Sequence, residues 1–292
     1  MTPSDIVWLS SAGLVSGILA GFLGIGGGTL LVPVLVQLGA EGVGAAATSS
    51  LAILVTASAG SFQNWRMGYL DIQQVLLLGA SAVITAFLAT FIGDRAPEYI
   101  LLAGFATLLI TNLYLVSLKK RVIRTAQFRQ SRSATGPAIN PVTARIATGA
   151  IAGAMAGLFG VGGGVILVPM QILLLGEQIK SAVRTSLGVI VITSVAASIG
   201  HAVNGNIDVL AGLILGGGGL IGVQISTRFL PKMSDATVTQ LFRALLVALA
   251  LYIYWQAWQS YHQRPNSVSL LVSHLSESIG ALHLPSYLHL LS

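Results

Sequence analysis

Two short glycine-rich segments carry the clearest chemical signal in this sequence. They are Gly24-Ile-Gly-Gly-Gly28 and Gly160-Val-Gly-Gly-Gly164, and Leu-Val-Pro follows each of them after two further residues. Each glycine weakens a regular helix by about 0.5–1 kcal/mol relative to alanine, so we expect a break in a helix at both places. A helix that begins directly after such a break presents backbone N–H groups and the positive end of its dipole, which suit an anion.

We therefore predict that the glycine-rich segments line a pocket for an anion. The alternative is close helix packing or a hinge that binds no ligand. The predicted pocket residues of the two segments are Gly24, Gly26, Gly27, Gly28 and Thr29, with Gly160, Gly162, Gly163 and Gly164.

Hydroxyl side chains extend this candidate site. Thr48 and Ser49 stand near the start of one apolar stretch, and Thr185 and Ser186 open another. Their hydroxyls could donate hydrogen bonds to an anion, or they could merely cap and pack helices.

Three other side chains could act on a charged solute. Arg184 is the best single candidate for a cation that binds substrate, and an arginine at the lipid interface is the alternative. Asn64 and His201 occupy matching positions as a candidate polar gate. His201 is also a candidate proton carrier because the unperturbed histidine pKa lies near physiological pH.

The elements that must position these residues are long apolar stretches. Of the 292 residues, 54% are hydrophobic and 8% are charged, whereas soluble domains carry about a quarter charged residues. A surface so poor in charge indicates a lipid environment, and a membrane-spanning helix needs roughly 20 apolar residues. The candidate spans are 6–38, 43–63, 72–93, 99–118, 146–175, 185–202, 207–229 and 237–258.

These stretches predict an all-α membrane protein of about eight transmembrane helices. Membrane β-barrels show alternating apolar residues and no continuous runs of this length. The first and fifth stretches are too long for one simple span, and both contain a glycine-rich segment. We expect these two first helices to be broken.

The two halves of the chain resemble each other. The glycine-rich segments are separated by 136 residues, and Gly13, Gly17 and Gly21 match Gly149, Gly153 and Gly157 at the same offset. These further glycines recur every four residues, which favours close helix packing. Downstream, Thr48-Ser49, Asn64 and Asp71 match Thr185-Ser186, His201 and Asp208 at an offset of 137. We predict two four-helix repeats, and the pattern leaves open whether they are parallel or inverted.

The repeat divides the chain into four segments. Residues 1–118 form the first repeat, 119–143 a basic linker, 144–259 the second repeat and 260–292 an amphipathic tail. Seven of the fifteen Lys and Arg residues fall between Lys119 and Arg145 with no acidic residue among them, so the positive-inside rule predicts that the linker is cytoplasmic. With four spans in each half, both termini would also be cytoplasmic, unless a broken segment folds back.

Several functional classes find no support. The absence of cysteine removes thiolate nucleophiles, disulfides and cysteine metal sites. The glycine spacing matches neither a dinucleotide fingerprint nor a phosphate-binding loop with its lysine. The clustered basic residues read as a membrane-flanking loop and not as a nucleic-acid surface. We expect no enzyme activity, no metal, no cofactor and no nucleic-acid partner.

At its paired G-x-G-G-G-x-x-L-V-P elements, Gly24 to Pro33 and Gly160 to Pro169, the sequence resembles the sulfite exporter TauE/SafE family. The resemblance covers roughly residues 6–258 and implies a multi-pass permease of the bacterial inner membrane. It also implies a sulfur-containing anion as substrate, such as sulfite or an organosulfonate.

The residues and the resemblance together predict a secondary transporter for a small anion. It would bind its substrate between the halves and work by alternating access, with a proton as candidate coupling ion and the lipid bilayer as its surroundings. The alternatives are a glycine-lined anion channel and a membrane scaffold that transports nothing.

Overall fold

We analysed a computed structural model of the chain, which describes residues 3–93, 141–203 and 205–262 together with residues 104, 107, 110 and 111. The described residues form nine α-helices and one short 3₁₀ helix, and no strand occurs among them. The α-helices are α1 Pro3–Leu23, α2 Gly28–Gln37, α3 Gly42–Arg66, α4 Ile72–Gly93, α5 Pro141–Phe159, α6 Gly164–Leu174, α7 Ile179–Val203, α8 Val209–Phe229 and α9 Asp235–His262. The 3₁₀ helix, Leu230–Lys232, lies between α8 and α9.

The predicted all-α membrane class is confirmed. Seven of these helices are long and apolar enough to cross a membrane, and α2 and α6 are shorter apolar helices. The first and fifth predicted stretches are each a long helix followed by a short one, as their glycines indicated. The predicted span 99–118, the linker up to residue 140 and the tail beyond residue 262 lie outside the continuously described residues.

Aspartates mark the starts of two matching helices. The backbone N–H of Gln74 donates to Asp71 Oδ1 at 3.1 Å ahead of α4, and that of Ala211 donates to Asp208 Oδ1 at 3.0 Å in α8. Each carboxylate satisfies an N–H that has no partner within its helix and places negative charge at the positive end of the dipole. The same device therefore begins α4 and α8.

Glycine permits unusually close packing of α1 against α8 and of α5 against α4. A Cβ at Gly13 or Gly17 of α1 would clash with the carbonyl of Leu215 or Gly219 in α8. Likewise, a Cβ at the three matching glycines of α5 would clash with the carbonyls of Leu78, Ala82 and Ala86 in α4. The prediction that these glycines pack helices together is confirmed.

The order of these contacts gives the helix directions. Residue numbers rise together along the contacts of α1 with α8 and of α3 with α8, so these three helices are parallel. The same holds for α5 with α4 and for α7 with α4. Since α3 and α4 are joined by a short turn, the two groups run in opposite directions. We call the end where α1, α3 and α8 begin end A, and the opposite end, where α4, α5 and α7 begin, end B.

The N-terminus and the end of the linker therefore lie at opposite ends of the bundle. Pro3 begins α1 at end A, whereas Pro141 begins α5 at end B. The N-terminus was expected on the linker's side unless a broken segment folds back, and the first broken helix does fold back on itself. The last helix, α9, begins at end B, where Lys180 pairs with Asp235 at 3.4 Å. It reaches end A, where Gln37 Nε2 donates to the Tyr252 hydroxyl at 3.3 Å.

The exterior of the bundle is apolar. Large hydrophobic side chains are exposed on most of the long helices, including Trp8, Ile84, Leu213 and Leu251. A soluble protein would rarely leave so much contiguous apolar surface in water. Inside, many contacts are made by alanine and glycine, which allow helix backbones to approach closely in a membrane.

Candidate anion site at the helix breaks

The first break turns the chain back into the bundle. A groove separates α1 from α2. It is lined by Trp8, Ala12 and Val15 of α1 and by Leu30 and Val34 of α2, with Leu38 just beyond α2, so α2 runs antiparallel to α1. The hydroxyl of Ser16 donates to the carbonyl of Gly27 at 2.9 Å, which places the start of α2 beside the middle of α1. The second break brings Gly163 against Ala152 in the middle of α5 in the same manner.

Glycine is required at three positions of each break. Gly24, Gly26 and Gly27 have φ angles between +67° and +86°, and Gly160, Gly162 and Gly163 have φ angles between +62° and +78°. L-residues with a side chain rarely adopt this left-handed region. The predicted interruption of both helices is confirmed, with the short helices beginning at Gly28 and Gly164.

The two breaks meet each other near the middle of the bundle. A Cβ at Gly28 would lie 2.6 Å from the carbonyl oxygen of Gly160 and 2.7 Å from the Cα of Val161. A Cβ at Gly164 would lie 2.8 Å from the Cα of Ile25 and would clash with the carbonyl of Gly24. The backbones of the two breaks are therefore in direct contact, and the starts of α2 and α6 are adjacent.

Two isoleucines flank the point where the breaks meet. Cβ atoms placed on Gly26 and Gly162 would both lie 3.1–3.3 Å from side-chain atoms of Ile53 in α3 and Ile190 in α7. Both isoleucines are fully buried. They close off the sides of the junction, so the candidate site is enclosed.

Hydroxyl groups satisfy the carbonyls of the breaks. Ser49 Oγ donates to the Gly160 carbonyl at 3.0 Å, and Ser186 Oγ donates to the Gly24 carbonyl at 2.7 Å. Each serine thus reaches the break of the opposite half. Thr193 Oγ1 adds a longer hydrogen bond of 3.4 Å to the carbonyl of Gly162.

The amide groups of the breaks are left without partners. Within the described residues, no hydrogen bond is donated by the backbone N–H of any residue from Ile25 to Thr29 or from Val161 to Val165. All ten residues are buried, and more than nine-tenths of buried backbone groups are normally paired. With several carbonyls occupied and the amides free, donors outnumber free acceptors at the junction.

The electrostatic potential at the junction also favours an anion, because two helix N-termini meet there. A helix N-terminus carries roughly half a positive elementary charge, from its aligned peptide dipoles. The N-termini of α2 and α6 face each other across buried glycine, where neither an acidic side chain nor a side-chain cap offsets them. Two such ends placed together repel each other, and an anion between them would turn that repulsion into attraction.

The structure brings together most of the predicted site residues, in roles that differ. Thr29 is fully buried, and its hydroxyl has no hydrogen-bond partner among the described residues. Ser49 and Ser186 act on carbonyls of the breaks, and Thr185 is buried beside Ser186. The hydroxyl of Thr48 instead accepts a hydrogen bond of 3.0 Å from the backbone N–H of Asp208, near end A.

The remaining candidates lie away from the junction along α3 and α7. The guanidinium carbon of Arg184 lies 3.9 Å from the ring centroid of Tyr69 at end B, a cation–π contact. Asn64 and His201 are buried, each eleven residues beyond Ile53 and Ile190 respectively. Eleven residues of helix correspond to about 16 Å.

Four residues at the junction were not predicted from the sequence. Ser16 and Thr193 are hydroxyl residues inside apolar runs, and no sequence signal shows that the breaks fold back onto them. Ile53 and Ile190 match each other at the offset of 137 residues, so the repeat could have identified them. The groove between α1 and α2, with a volume of about 460 Å³, is lined by none of the predicted site residues.

Comparison with known proteins agrees with this architecture. The family model described as sulfite exporter TauE/SafE matches residues 9–253. The chain belongs to this family. TauE/SafE proteins are membrane transporters, and we describe the chain accordingly as a multi-pass membrane transporter and not an enzyme.

Curated relatives of this TauE/SafE protein cover most of its length. It is 26% identical over 270 residues to the probable membrane transporter protein YunE of Bacillus subtilis, covering 86% of this chain and 98% of the relative. It is 30% identical over 267 residues to a probable membrane transporter protein of Xylella fastidiosa strain Temecula1, covering 88% and 97%. No solved structure matches the chain.

Proposed function

We propose that this protein is a secondary transporter that binds a small oxyanion at the junction of its two helix breaks. The substrate class is sulfite or a related sulfur oxyanion or organosulfonate. The predicted glycines, Thr29, Ser49 and Ser186 form the site or hold its shape. The family name supports a sulfur oxyanion, and the geometry supports an anion more generally.

One observation carries the proposal. The breaks present ten buried amide donors at two adjoining helix N-termini, while serine and threonine hydroxyls occupy several of the neighbouring carbonyls. Unpaired buried donors cost about 1–3 kcal/mol each unless something accepts from them. An oxyanion has several acceptor oxygens on one small centre, so it could bridge donors from both breaks at once.

The helix directions favour alternating access between inverted halves. Helices α1, α3 and α4 of the first half run opposite to α5, α7 and α8 of the second half. A site shared by two inverted repeats opens to either side when one repeat rocks against the other. A proton is the candidate coupling ion, with His201 as its candidate carrier.

A channel remains the competing mechanism for the same site. In a channel, both ends of the path would open to the junction together, whereas here the junction is buried from both ends. Counterflow separates the two mechanisms. Proteoliposomes are preloaded with unlabelled anion, and labelled anion is added outside. A transporter transiently accumulates the labelled anion inside, and a channel does not.

Thermal unfolding of the purified protein tests the proposed site. The panel holds sulfite, sulfate, thiosulfate, sulfoacetate, a carboxylate and chloride. A ligand that binds only the folded state stabilises it by about 2.7 kcal/mol at a hundredfold excess over its Kd. We expect such a shift with one sulfur oxyanion and none with chloride.

The matched variant for this test is Ser186→Ala, with Ser50→Ala as its control. Ser186 binds a carbonyl of the opposite break, whereas Ser50 binds the Ala46 carbonyl of its own helix at 2.9 Å. The anion-dependent shift should fall in the first variant and persist in the second. A flat response of the unmodified protein across the whole panel would rule out the anion site.

We also propose that end B faces the cytoplasm of a bacterial inner membrane. All seven described Lys and Arg residues lie at end B or within about two turns of it. The described charged residues at end A are all acidic. The basic linker leads into α5 at end B as well. The positive-inside rule therefore supports a cytoplasmic linker and an external N-terminus.

Single cysteines test this orientation without interference, because the sequence contains none. Glu41 is exposed at end A and Ala236 is exposed at end B. A membrane-impermeant maleimide should label E41C in intact cells and A236C only after permeabilisation. The reverse pattern would overturn the orientation while leaving the fold unchanged.

A further inference from the structure

Buried polar side chains continue outward from the junction in both directions along α3 and α7. Asn64 lies three helical turns from Ile53 and therefore on the same face of α3. Ser198 and His201 extend from Ile190 along α7 in the same way. Because α3 and α7 run in opposite directions, Asn64 lies toward end B, whereas Ser198 and His201 lie toward end A.

The side chain of Asn64 is unusual for a buried amide. It is 0% exposed, and neither Nδ2 nor Oδ1 has a hydrogen-bond partner within the described residues. An amide in such a place normally finds partners, because burial without them costs free energy. No neighbouring residue of the described chain meets that demand.

In each half, a buried serine lies one helical turn before this polar position. Ser61 precedes Asn64 by three residues, and Ser198 precedes His201 by three. The hydroxyls of Ser61 and Ser198 are buried and have no hydrogen-bond partner in the described part of the chain. Other buried hydroxyls of the same helices bond to carbonyls of their own helix, as Thr56 does to Ala52 and Ser194 does to Ile190. Ser61 and Ser198 differ from these residues because their hydroxyls make no such bond.

The helices around Ser61 and Asn64 pack closely. Gly60, next to Ser61, faces Val223 of α8 and Leu187 of α7. The hydroxyl of Thr227, on the same side, bonds to the Val223 carbonyl of its own helix at 2.7 Å and so does not satisfy Asn64. On the opposite side of the junction, Thr90 bonds within α4 in the same way.

We propose that Asn64 with Ser61 forms a second anion station between the junction and end B, and that Ser198 forms its counterpart toward end A. Each station supplies neutral hydrogen-bond donors to the transported oxyanion as it enters or leaves the central site. This inference rests on the proposed function. It adds that each station governs access from one side of the membrane only.

Anion uptake measured in vesicles of both orientations tests this inference. Asn64→Ala should raise the KM for anion supplied from end B about tenfold, the loss expected for one hydrogen bond to an ion. The KM for anion supplied from end A should stay within about twofold. Ser198→Ala should show the opposite pattern, and Thr56→Ala should change neither value.

A structural defect would lower transport equally from both sides of the membrane. It would not change the KM for anion supplied from one end only. Ser61→Ala provides a milder variant if Asn64→Ala does not fold, and it should share the end-B pattern. Equal KM changes from both sides, or none in any variant, would overturn the two-station inference. Loss of anion-dependent stabilisation in the unmodified protein would instead overturn the central site on which it rests.

Discussion

The two halves of the molecule share several contacts at the junction and differ at other matched positions. Ser49 and Ser186 make the same hydrogen bond to opposite breaks, and Ile53 and Ile190 flank both breaks alike. Other matched pairs are unlike, one at the first break and one farther out. Ser16 bonds to the first break where the second half has Ala152, and Asn64 stands where the second half has His201.

This contrast separates two kinds of requirement. A single ligand held between two halves needs equivalent groups from each, and Ser49 and Ser186 are equivalent in their contacts with the breaks. Differences between the two sides of a membrane require unlike groups, and Asn64 and His201 are such a pair, one toward end B and one toward end A. In the proposal made above, the shared centre binds the anion and the unlike groups govern access from each side.

The largest expected effect comes from adding one methyl group at the junction. Gly28→Ala and Gly164→Ala would each drive a Cβ into the backbone of the opposite break. Overpacking in a core typically costs about 1–3 kcal/mol, and rigid backbone on the opposing side should make the cost larger. We expect both variants to lose folded yield and transport to a similar extent in fluorescence-detected size-exclusion chromatography and flux assays.

Gly217→Ala is the matched control for that pair. Gly217 lies within α8, and a Cβ there meets nothing within 4 Å. Alanine favours helix over glycine by about 1 kcal/mol, so this variant should be neutral or more stable. If Gly28→Ala behaves like Gly217→Ala, the two breaks do not rest on each other.

A smaller effect should follow from removing the crossing hydroxyls. Ser49→Ala and Ser186→Ala would each leave a buried carbonyl unpaired, at a cost of about 1–3 kcal/mol in unfolding free energy. Chemical denaturation of both variants should give equal losses if the halves are equivalent at the centre. A loss in only one of them would show that one break alone needs its serine.

Ser16→Ala sharpens the comparison, because Ser16 has no hydroxyl counterpart in the second half. Its hydroxyl bonds to Gly27, whose carbonyl also accepts from the N–H groups of Leu30 and Leu31. The carbonyl therefore remains paired after the substitution, and we expect a loss below about 1 kcal/mol in the same denaturation assay. A loss equal to that of Ser186→Ala would contradict this ranking.

The smallest effect is expected for the ion pair at end B. Lys180 and Asp235 are 3.4 Å apart, with 22% and 55% of their side chains exposed. Partly exposed pairs contribute about 0–1 kcal/mol. Lys180→Met should change thermal stability little and leave transport unchanged. A strong effect would mean that the contact between α7 and α9 matters for function.

Much of the helix layout was predictable from the sequence. The glycines located both breaks and, to within one residue, the starts of the short helices, because no other residue type adopts these φ angles readily. Apolar length located the spans, and the four-residue glycine spacing identified close packing. These features depend on local chemistry.

The arrangement around the site was not predictable in the same way. Which helix receives Gly13 or Gly149, and that α2 folds back beside Ser16, depend on packing between residues far apart in the chain. Ser49 and Ser186 were predicted at the site, yet they bind carbonyls of the breaks. Their role in preparing free amides emerges only when both breaks are seen together.

The central claim is that both halves share one anion at the junction. Isothermal titration of the purified protein with the anion that stabilises it, repeated with Ser49→Ala and Ser186→Ala, tests this claim most directly. We predict one bound anion per chain and a weaker affinity in both variants by similar factors. Two anions per chain, or an affinity that responds to only one serine, would contradict a shared site.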